Sequence, residues 1–419
     1  MSNLEKMIHE FCPGGVERKR LGDIGTVIRG NGLQKKDFTE NGVGCIHYGQ
    51  IYTYYGTCAY ETKSCVSAEL AEKLQKVDKG NLVIAVTSEN VEDVGKAVVW
   101  LGDTQIVTGS HAAIFKHNQD PKYVAYWFQT ADFYSQKVKI AQGTKVIDLA
   151  PQKLEEVTMP VPPLQVQREI VRILDNYAEL TAELTAELTA ELTARKKQYE
   201  YYRDMLLTFG VHGGGTAEIE WRTLAELGRW SGGKTPSMAN LRFWQSGTIP
   251  WISSKDMKVS TLCDTQDHIT EKAVHEASMT VYPPNSIAIV TRSGILKHTF
   301  PVAFVPFETT INQDIKILIT GDGVLPRYAF HVIQGKGEDI LRKTKKQGGT
   351  VDSLDFDKVL SYKVPVPSLK VQECLVSVLD NFDAICTDLN IGLPAEIAAR
   401  KKQYEFYRDK LLSFKELGA

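Results

Sequence analysis

The sequence predicts an α+β protein built as two mixed α/β modules, each followed by a long helical segment. Three observations predict it. The 419-residue chain is long enough for two or three domains. It is written twice, and each copy changes from short apolar runs to a helical periodicity at the same place.

The repeat is clearest in the helical segments. Residues 160–209 open PVPPLQVQREIVRILDNY and close ARKKQYEYYRDMLLTF; residues 365–414 open PVPSLKVQECLVSVLDNF and close ARKKQYEFYRDKLLSF. Pro160 aligns with Pro365 and Phe209 with Phe414, a constant offset of 205, with about half the positions identical and no gap. The preceding stretches correspond more loosely. Arg20–Gly25 parallels Leu224–Gly228, Gly44–Tyr48 parallels Ile249–Ser253, Leu82–Ser88 parallels Ser286–Arg292, and Gly143-Thr144 parallels Gly349-Thr350. This divides the chain into a first module over 1–159, a first helical spacer over 160–209 and a Gly-rich linker over 210–215. A second module follows over 216–364 and a second spacer over 365–419.

Within the modules, Leu82–Val86 and Ile287–Val290 are short β-branched runs bounded by turn residues and read as buried strands. Tyr123–Tyr134 and Arg327–Gln334 read as helices. In the spacers, Pro163 suits a first helical position. Ile170, Ile173, Leu174 and Tyr177 follow at helical spacing, and Phe209-Gly210 with Gly213–Gly215 mark the stop. A helix of ~45 residues would reach roughly 65–70 Å. It cannot bury its apolar stripe in a small globule, and its own duplicate is the obvious partner. The seam residues expected are Ile170, Ile173, Leu174, Leu184, Leu188, Tyr199, Tyr202 and Leu206, with Leu379, Tyr404, Tyr407 and Leu411 in the second copy. Gly392 and Pro394 should kink or break the second helix.

Between the ends of the first helix stands Ala178-Glu179-Leu180 and then Thr-Ala-Glu-Leu three times, at 181–184, 185–188 and 189–192. Ala, Glu and Leu are strong helix formers. Each unit advances the helix ~6 Å and rotates its seam ~40°. One reading is solvated filler; the other is a ruler, because one base pair of B-DNA advances about 3.4 Å and turns about a tenth of a circle.

The formal charge is −2, so no global field attracts nucleic acid and a DNA reader must segregate its basic loops. The seven cysteines are odd in number with no CxxC spacing, which argues against a disulfide framework or a structural zinc site. No apolar run is long enough to span a bilayer and no signal-peptide core opens the chain, so it reads as cytoplasmic. Gly228-Arg229-Trp230-Ser231-Gly232-Gly233-Lys234-Thr235 matches the GxxxxGKT phosphate-loop string, yet no apolar strand precedes it and Pro236 follows at once. It fits a DNA-facing loop better. No methyltransferase, HExxH, GxSxG or nuclease signature is present, so no catalytic residue is expected.

The tandem order, the two PVP openings, the two RKKQYE closings and the TAEL array together resemble the specificity subunit of type I restriction-modification systems, over roughly 16–415. The resemblance implies a fold of two target recognition domains in pseudo-twofold arrangement, their conserved helices paired as an antiparallel coiled coil. It implies a non-catalytic chain acting in phage defence that reads a bipartite site on double-stranded DNA. It also implies two modification (methyltransferase) subunits docked on the helices, and restriction (translocase/nuclease) subunits joining them. S-adenosylmethionine for adenine methylation, and ATP and Mg, would reside on those partners. A related system whose partner carries both methylation and cleavage stays open.

Sequence readout needs Arg or Lys for guanine and Asn or Gln for adenine, on loops that also hold phosphates. The polar loops between strands supply candidates. In the first module they are Arg29, Asn31, Gln34, Lys35, Lys36, His47, Tyr48, Gln50, Ser88, Asn90, Ser110, His111 and Lys145. In the second they are Lys234, Thr235, Ser237, Ser253, Ser254, Lys255, Arg292, Ser293, Asn312, Gln313 and Lys346. Arg195–Lys197 and Arg400–Lys402 could hold phosphate, a solvated helix face or a subunit contact.

Overall fold

The computed structural model describes residues 3–208, 219–346, 351–387 and 392–418. The Gly-rich linker at 210–215 and the Gly349-Thr350 pair lie outside the described residues. The chain divides into two compact units, one of residues 1–187 with 397–419, the other of residues 188–396. Each module therefore takes the start of its own helical segment and the end of the other copy's.

The two modules repeat one topology. In the first, a five-stranded sheet runs in the order Gly25–Arg29, Ala112–His117, Leu82–Ala85, Ala97–Trp100, Cys58–Ala59. A four-stranded sheet runs Ser64–Val66, Val43–Ile46, Ile106–Thr108, Gln75–Val77. In the second module the corresponding order is Gly228–Gly232, Ile315–Thr320, Ser286–Val290, Val302–Val305, with Asp267–Ile269, Ile249–Ile252, Thr310–Ile311 as the smaller sheet. The central strands Leu82–Ala85 and Ser286–Val290 are buried at every residue, as their unbroken apolar runs predict. A short strand pair closes each module, Arg18–Arg20 with Thr158–Pro160 and Glu220–Thr223 with Lys363–Val366.

Gly25 and Gly228 begin the first sheet strand of each module where another strand's backbone passes close. A Cβ at Gly25 would stand 2.2 Å from the Lys116 carbonyl oxygen, and one at Gly228 would stand 2.1 Å from that of Ile319. Neither position can carry a side chain.

The helix expected over Tyr123–Tyr134 is two helices, Pro121–Trp127 and Ala131–Ile140. The apolar periodicity continues across the join, but Thr130 takes an extended backbone and its hydroxyl accepts the Phe133 N–H, so a cap interrupts the run. Pro326–Gly335 contains the expected Arg327–Gln334.

The first helical segment is one continuous helix of 43 residues, Leu164–Leu206, about 65 Å long. Pro163 stands just outside it, its carbonyl accepting Val166 and Gln167 N–H groups. The second segment is two helices, Leu369–Thr387 and Leu393–Leu411, the latter with Pro394 in its first turn. That is the interruption that Gly392 and Pro394 predict.

Helix pairing is visible inside each unit. In the first, Tyr177 stacks on Tyr407 with ring centroids 5.7 Å apart; in the second, Tyr202 meets Phe382 at 6.0 Å. The two pairs are duplicates at the offset of 205, with the partners exchanged. The start of each helix therefore lies against the end of the other, which is antiparallel pairing. Ile170 and Leu174 are buried in the first core, with Ile173 and Leu411 packed on it. Tyr199 and Leu379 are buried in the second core, with Leu206 packed on it. Leu184, Leu188, Tyr202, Tyr404 and Tyr407 are half-buried, while Leu180 is exposed.

The chain's two ends meet in the first unit. Val16 N–H donates to the Lys415 carbonyl (2.9 Å) and Leu417 N–H to that of Val16 (3.1 Å). Leu4 and Leu412 share one core with Val166 and Ile170.

Burial also shapes one titration. His117 ends the strand Ala112–His117; its Nδ1 accepts the Gln119 N–H (3.2 Å) and its buried Nε2 has no partner. Burial pushes its pKa down to about 4 from 6.5. A histidine lowered in the folded state stabilises fully above its unfolded value, and that stability is lost as pH falls through the window between 6.5 and 4. We expect the first unit to lose about 2 kcal/mol from this source between about pH 7 and 5. Urea titration at the two pH values checks it, because His117→Leu should remove this part of the pH dependence.

Candidate nucleic-acid interface

Strand direction and register bring the first module's polar loops to one end of its sheets. Gly25–Arg29 ends at Arg29, opposite Ala113, and Leu82–Ala85 ends opposite Ala112, just before Val86-Thr87-Ser88. Val43–Ile46 and Ile106–Thr108 run parallel and end together, delivering His47-Tyr48 and Gly109-Ser110-His111. Ile147–Asp148 pairs with Thr87-Ser88, which brings the loop of Lys145 to the same end.

The centre of this end is aromatic and amphoteric. Tyr48 lies 4.5 Å from the His47 ring and 4.8 Å from that of His111, centroid to centroid. His111 Nδ1 is 2.8 Å from the Thr87 hydroxyl. His47 is buried, caps the helix Tyr48–Thr53 through Gly49 N–H, and is held below its ordinary pKa by burial, then by Lys35 and His111. At neutral pH it is a neutral acceptor there. Lys35, Lys36, Gln34, Lys145 and His111 are exposed around it, and Ser88 and Ser110 half-exposed.

Several candidates are committed to shaping their own loops. The Asn31 amide donates to the Lys73 carbonyl and its oxygen accepts the Gln75 N–H. Gln50 is buried, accepting His47 N–H and donating to the Ser64 hydroxyl. Asn90 holds Asp93 through both amide atoms. Gln50 is buried, while Asn31 and Asn90 brace their turns and stay exposed; a turn uses the same amides a base edge does.

The second module places its loops in the same way. The strands Gly228–Gly232, Ile249–Ile252, Ser286–Val290 and Thr310–Ile311 all end beside the start of Ile315–Thr320. Lys234, Thr235, Ser237, Lys255, Arg292, Gln313 and Lys346 are exposed there, with Ser254 and Ser293 half-exposed. The Thr235 hydroxyl bonds to the Gln313 side-chain oxygen. Ser293 caps the turn Gly294–Lys297, and the Lys255 ammonium is 3.7 Å from Asp267. Ser253 and Asn312 are buried: Ser253 bonds Asp256, and Asn312 accepts the Asp314 N–H. They too are loop braces.

The GxxxxGKT string is a strand, Gly228–Gly232, followed by extended chain. Lys234 N–H donates to the Ile311 carbonyl and its own carbonyl accepts the Trp251 indole N–H. Its backbone is occupied by the smaller sheet. No helix begins at Lys234-Thr235, so the phosphate-cradling geometry is not built here.

Two supports went unread in the sequence. Lys137, nearly buried, donates to the carbonyls of Glu92 (2.9 Å) and Val94 (2.7 Å), and so ties down the loop after Thr87-Ser88. Burial lowers its pKa to about 8. Gln167 and Gln372 are fully buried duplicates. Gln167 accepts Asp120 N–H and donates to the Pro162 carbonyl; Gln372 accepts Leu325 N–H and donates to the carbonyls of Pro367 and Gly323. Their signal was present: a polar residue repeated at an offset of 205 on an otherwise apolar helix face.

Beside each glutamine a polar hub fastens module to helix. Asp175 accepts the Lys122 ammonium (2.8 Å) and the Tyr126 hydroxyl (2.7 Å) in the first unit. In the second, Asp380 takes Arg327 (Nε, 2.9 Å) and His331 (Nε2, 2.7 Å), and the Tyr199 hydroxyl is 3.0 Å from His331 Nδ1. Burial lowers the His331 pKa, outweighing the Asp380 carboxylate that opposes it. Among the described residues no group of His, Cys, Asp and Glu could hold a metal ion, and no helix is long and apolar enough to cross a membrane.

Comparison with known proteins agrees with this architecture. The type I restriction modification DNA specificity domain family matches residues 13–194 and again 217–399. The type I restriction enzyme EcoR124I/EcoR124II specificity subunit of Escherichia coli is 46% identical over 296 residues, 70% of each chain. A putative type I restriction enzyme specificity subunit of Haemophilus influenzae is 31% identical over 320 residues, 73% of this chain and 75% of its own. A solved chain described under complex assembly and conformational transition of the type I R-M system shares the fold, with a TM-score of 0.67 at 14% identity, covering 96% of this chain and 98% of that one. Two matched domains, one in each copy of a duplicated chain, and a 46% identical specificity subunit place this protein in the type I restriction-modification DNA specificity family, as a non-catalytic specificity subunit.

Proposed function

We propose that each module reads one half of a bipartite DNA site through the loop end described above, and that the helices set the gap between the halves. The observation that carries this is the repeat of the same loop end in both modules, joined through one unbroken 43-residue helix. Base readout falls to the exposed members, Arg29, Gln34, Lys35, Lys36, His111 and Lys145, with the half-buried Tyr48, and Lys234, Thr235, Lys255, Arg292, Gln313 and Lys346. Asn31, Gln50, Asn90, Ser253 and Asn312 hold those loops in shape. The family supports two modification subunits as partners on the helices, with restriction subunits joining them. S-adenosylmethionine, ATP and Mg belong to those partners. The curated relatives favour a type I system over one whose partner both methylates and cleaves.

The test is the methylome of cells expressing this chain with its modification subunits. A bipartite motif is expected, and exchanging residues 1–159 for those of a relative should change the bases of one half only. A motif changed in both halves, or in neither, would overturn the assignment of one half-site to each module.

A further inference from the structure

We propose that Arg29 and Arg292 are base-reading side chains held in reserve by Asp148 and Asp314, so that a wrong base leaves each arginine on its carboxylate rather than on the DNA. The proposal rests on the reading that these loop ends face DNA.

In the first module, Arg29 Nε donates to the Ser110 carbonyl (3.0 Å), and both terminal nitrogens of its guanidinium face Asp148, Nη1 at 3.3 Å from Oδ2. Asp148 is fixed by its backbone, which exchanges hydrogen bonds with Gln142 (2.7 and 3.0 Å) and pairs with Thr87. In the second module, Arg292 Nε donates to Asp314 Oδ1 at 2.6 Å. Asp314 is fixed as well. Its N–H donates to Asn312 (3.0 Å), its carbonyl accepts the Thr291 N–H (2.8 Å), and its Oδ2 accepts the Gln313 amide (3.3 Å). In each pair the backbone of the acid is held by its neighbours; the side chains of Arg29 and Asp148 are about equally exposed, at 39% and 37%. The Arg292 side chain is 57% exposed against 22% for Asp314.

The two pairs are not copies. Arg29 ends the first strand of its sheet, where the second module has Gly232; Arg292 follows the central strand, where the first module has Ser88. The duplication did not transmit the pair, yet both modules hold an arginine on a rigid carboxylate at the same end. A bare guanidinium there would bind any phosphate, since phosphate attraction is indifferent to sequence. A carboxylate neutralises it and repels the backbone. Guanine O6 and N7 offer two acceptors that can replace both oxygens of Asp148 under Arg29, and the single oxygen of Asp314 under Arg292. An exposed ion pair is weak enough for that exchange to be easy. A base without the two acceptors cannot compete.

The experiment measures binding of the complex with its modification subunits to cognate and unrelated duplexes over a range of salt. For Asp148→Asn we expect affinity for unrelated duplex to rise roughly three- to tenfold, with a salt slope steeper by about 1. Discrimination at one position of one half-site should fall by about tenfold. Asp314→Asn should do the same in the other half. Weaker binding to both duplexes at unchanged melting temperature would overturn the proposal, and so would unchanged discrimination. Arg29→Gln and Arg292→Gln separate the two levels. If the arginine variants lose a base preference while the aspartate variants keep it, the reserve fails and the DNA-facing assignment stands. If neither arginine variant alters the recognised sequence, the assignment of Arg29 and Arg292 to base reading fails too.

Discussion

Gln372→Leu will destabilise the second unit by roughly 3–5 kcal/mol, the largest effect expected of any single substitution in the helical segments. Gln372 is fully buried, and its amide satisfies the Leu325 N–H and the carbonyls of Pro367 and Gly323. Leucine fills the space but leaves those backbone groups dry and unpaired, and each such group costs about 1–3 kcal/mol. Part of the loss is recovered if the loop at Gly323 moves to water, which keeps the total below the simple sum. Gln167→Leu is the twin, since Gln167 serves Asp120 N–H and the Pro162 carbonyl in the first unit. Calorimetry should resolve which unit's transition each variant moves. Equal melting of wild type and both variants would show that these glutamines brace nothing.

Removing Thr185–Leu188, one TAEL unit, is expected to shorten the gap of the methylated site by about one base pair and leave the bases of both halves unchanged. The segment lies within an unbroken helix whose leucines at 184, 188 and 192 are half-buried at most. Its loss therefore empties no core position. The deletion withdraws ~6 Å and ~40° from between two ends whose packing is made elsewhere, by Ile170 and Leu174 on one side and Tyr199 and Leu207 on the other. Methylome sequencing reads the result directly, and a deletion that altered half-site bases while keeping the gap would refute the ruler. Extensive loss of activity at any gap length would mean that the rotation, rather than the advance, is what the duplex cannot absorb.

What was legible in the sequence was whatever repeats or runs. The offset of 205 exposed the duplication, the apolar runs exposed the central strands, and Gly392 with Pro394 marked the break between Leu369–Thr387 and Leu393–Leu411. The split at Thr130 was not legible, because a cap differs from a helix interior by one hydroxyl and one backbone angle. The surface end was legible only as a set of loops. Whether Asn31 or Gln50 points outward or spends its amide on the adjoining turn depends on neighbours 14 to 44 residues away, such as Ser64 and Gln75, which a single sequence does not pair. Lys137 was hidden for a related reason. It reads as an ordinary helix-surface lysine until the carbonyls of Glu92 and Val94 are seen at its ammonium.

The joining of Val16 to Lys415 and Leu417 bears on how the protein is born. The ribosome releases the first module, which ends at residue 159, about 250 residues before the segment from Leu412 to Leu417 that finishes it. Until Leu412 arrives, the core holding Leu4, Val166 and Ile170 lacks a wall. The half encoded first is thus the half completed last, and through most of translation it waits with apolar surface open, the condition in which a nascent chain depends on chaperones.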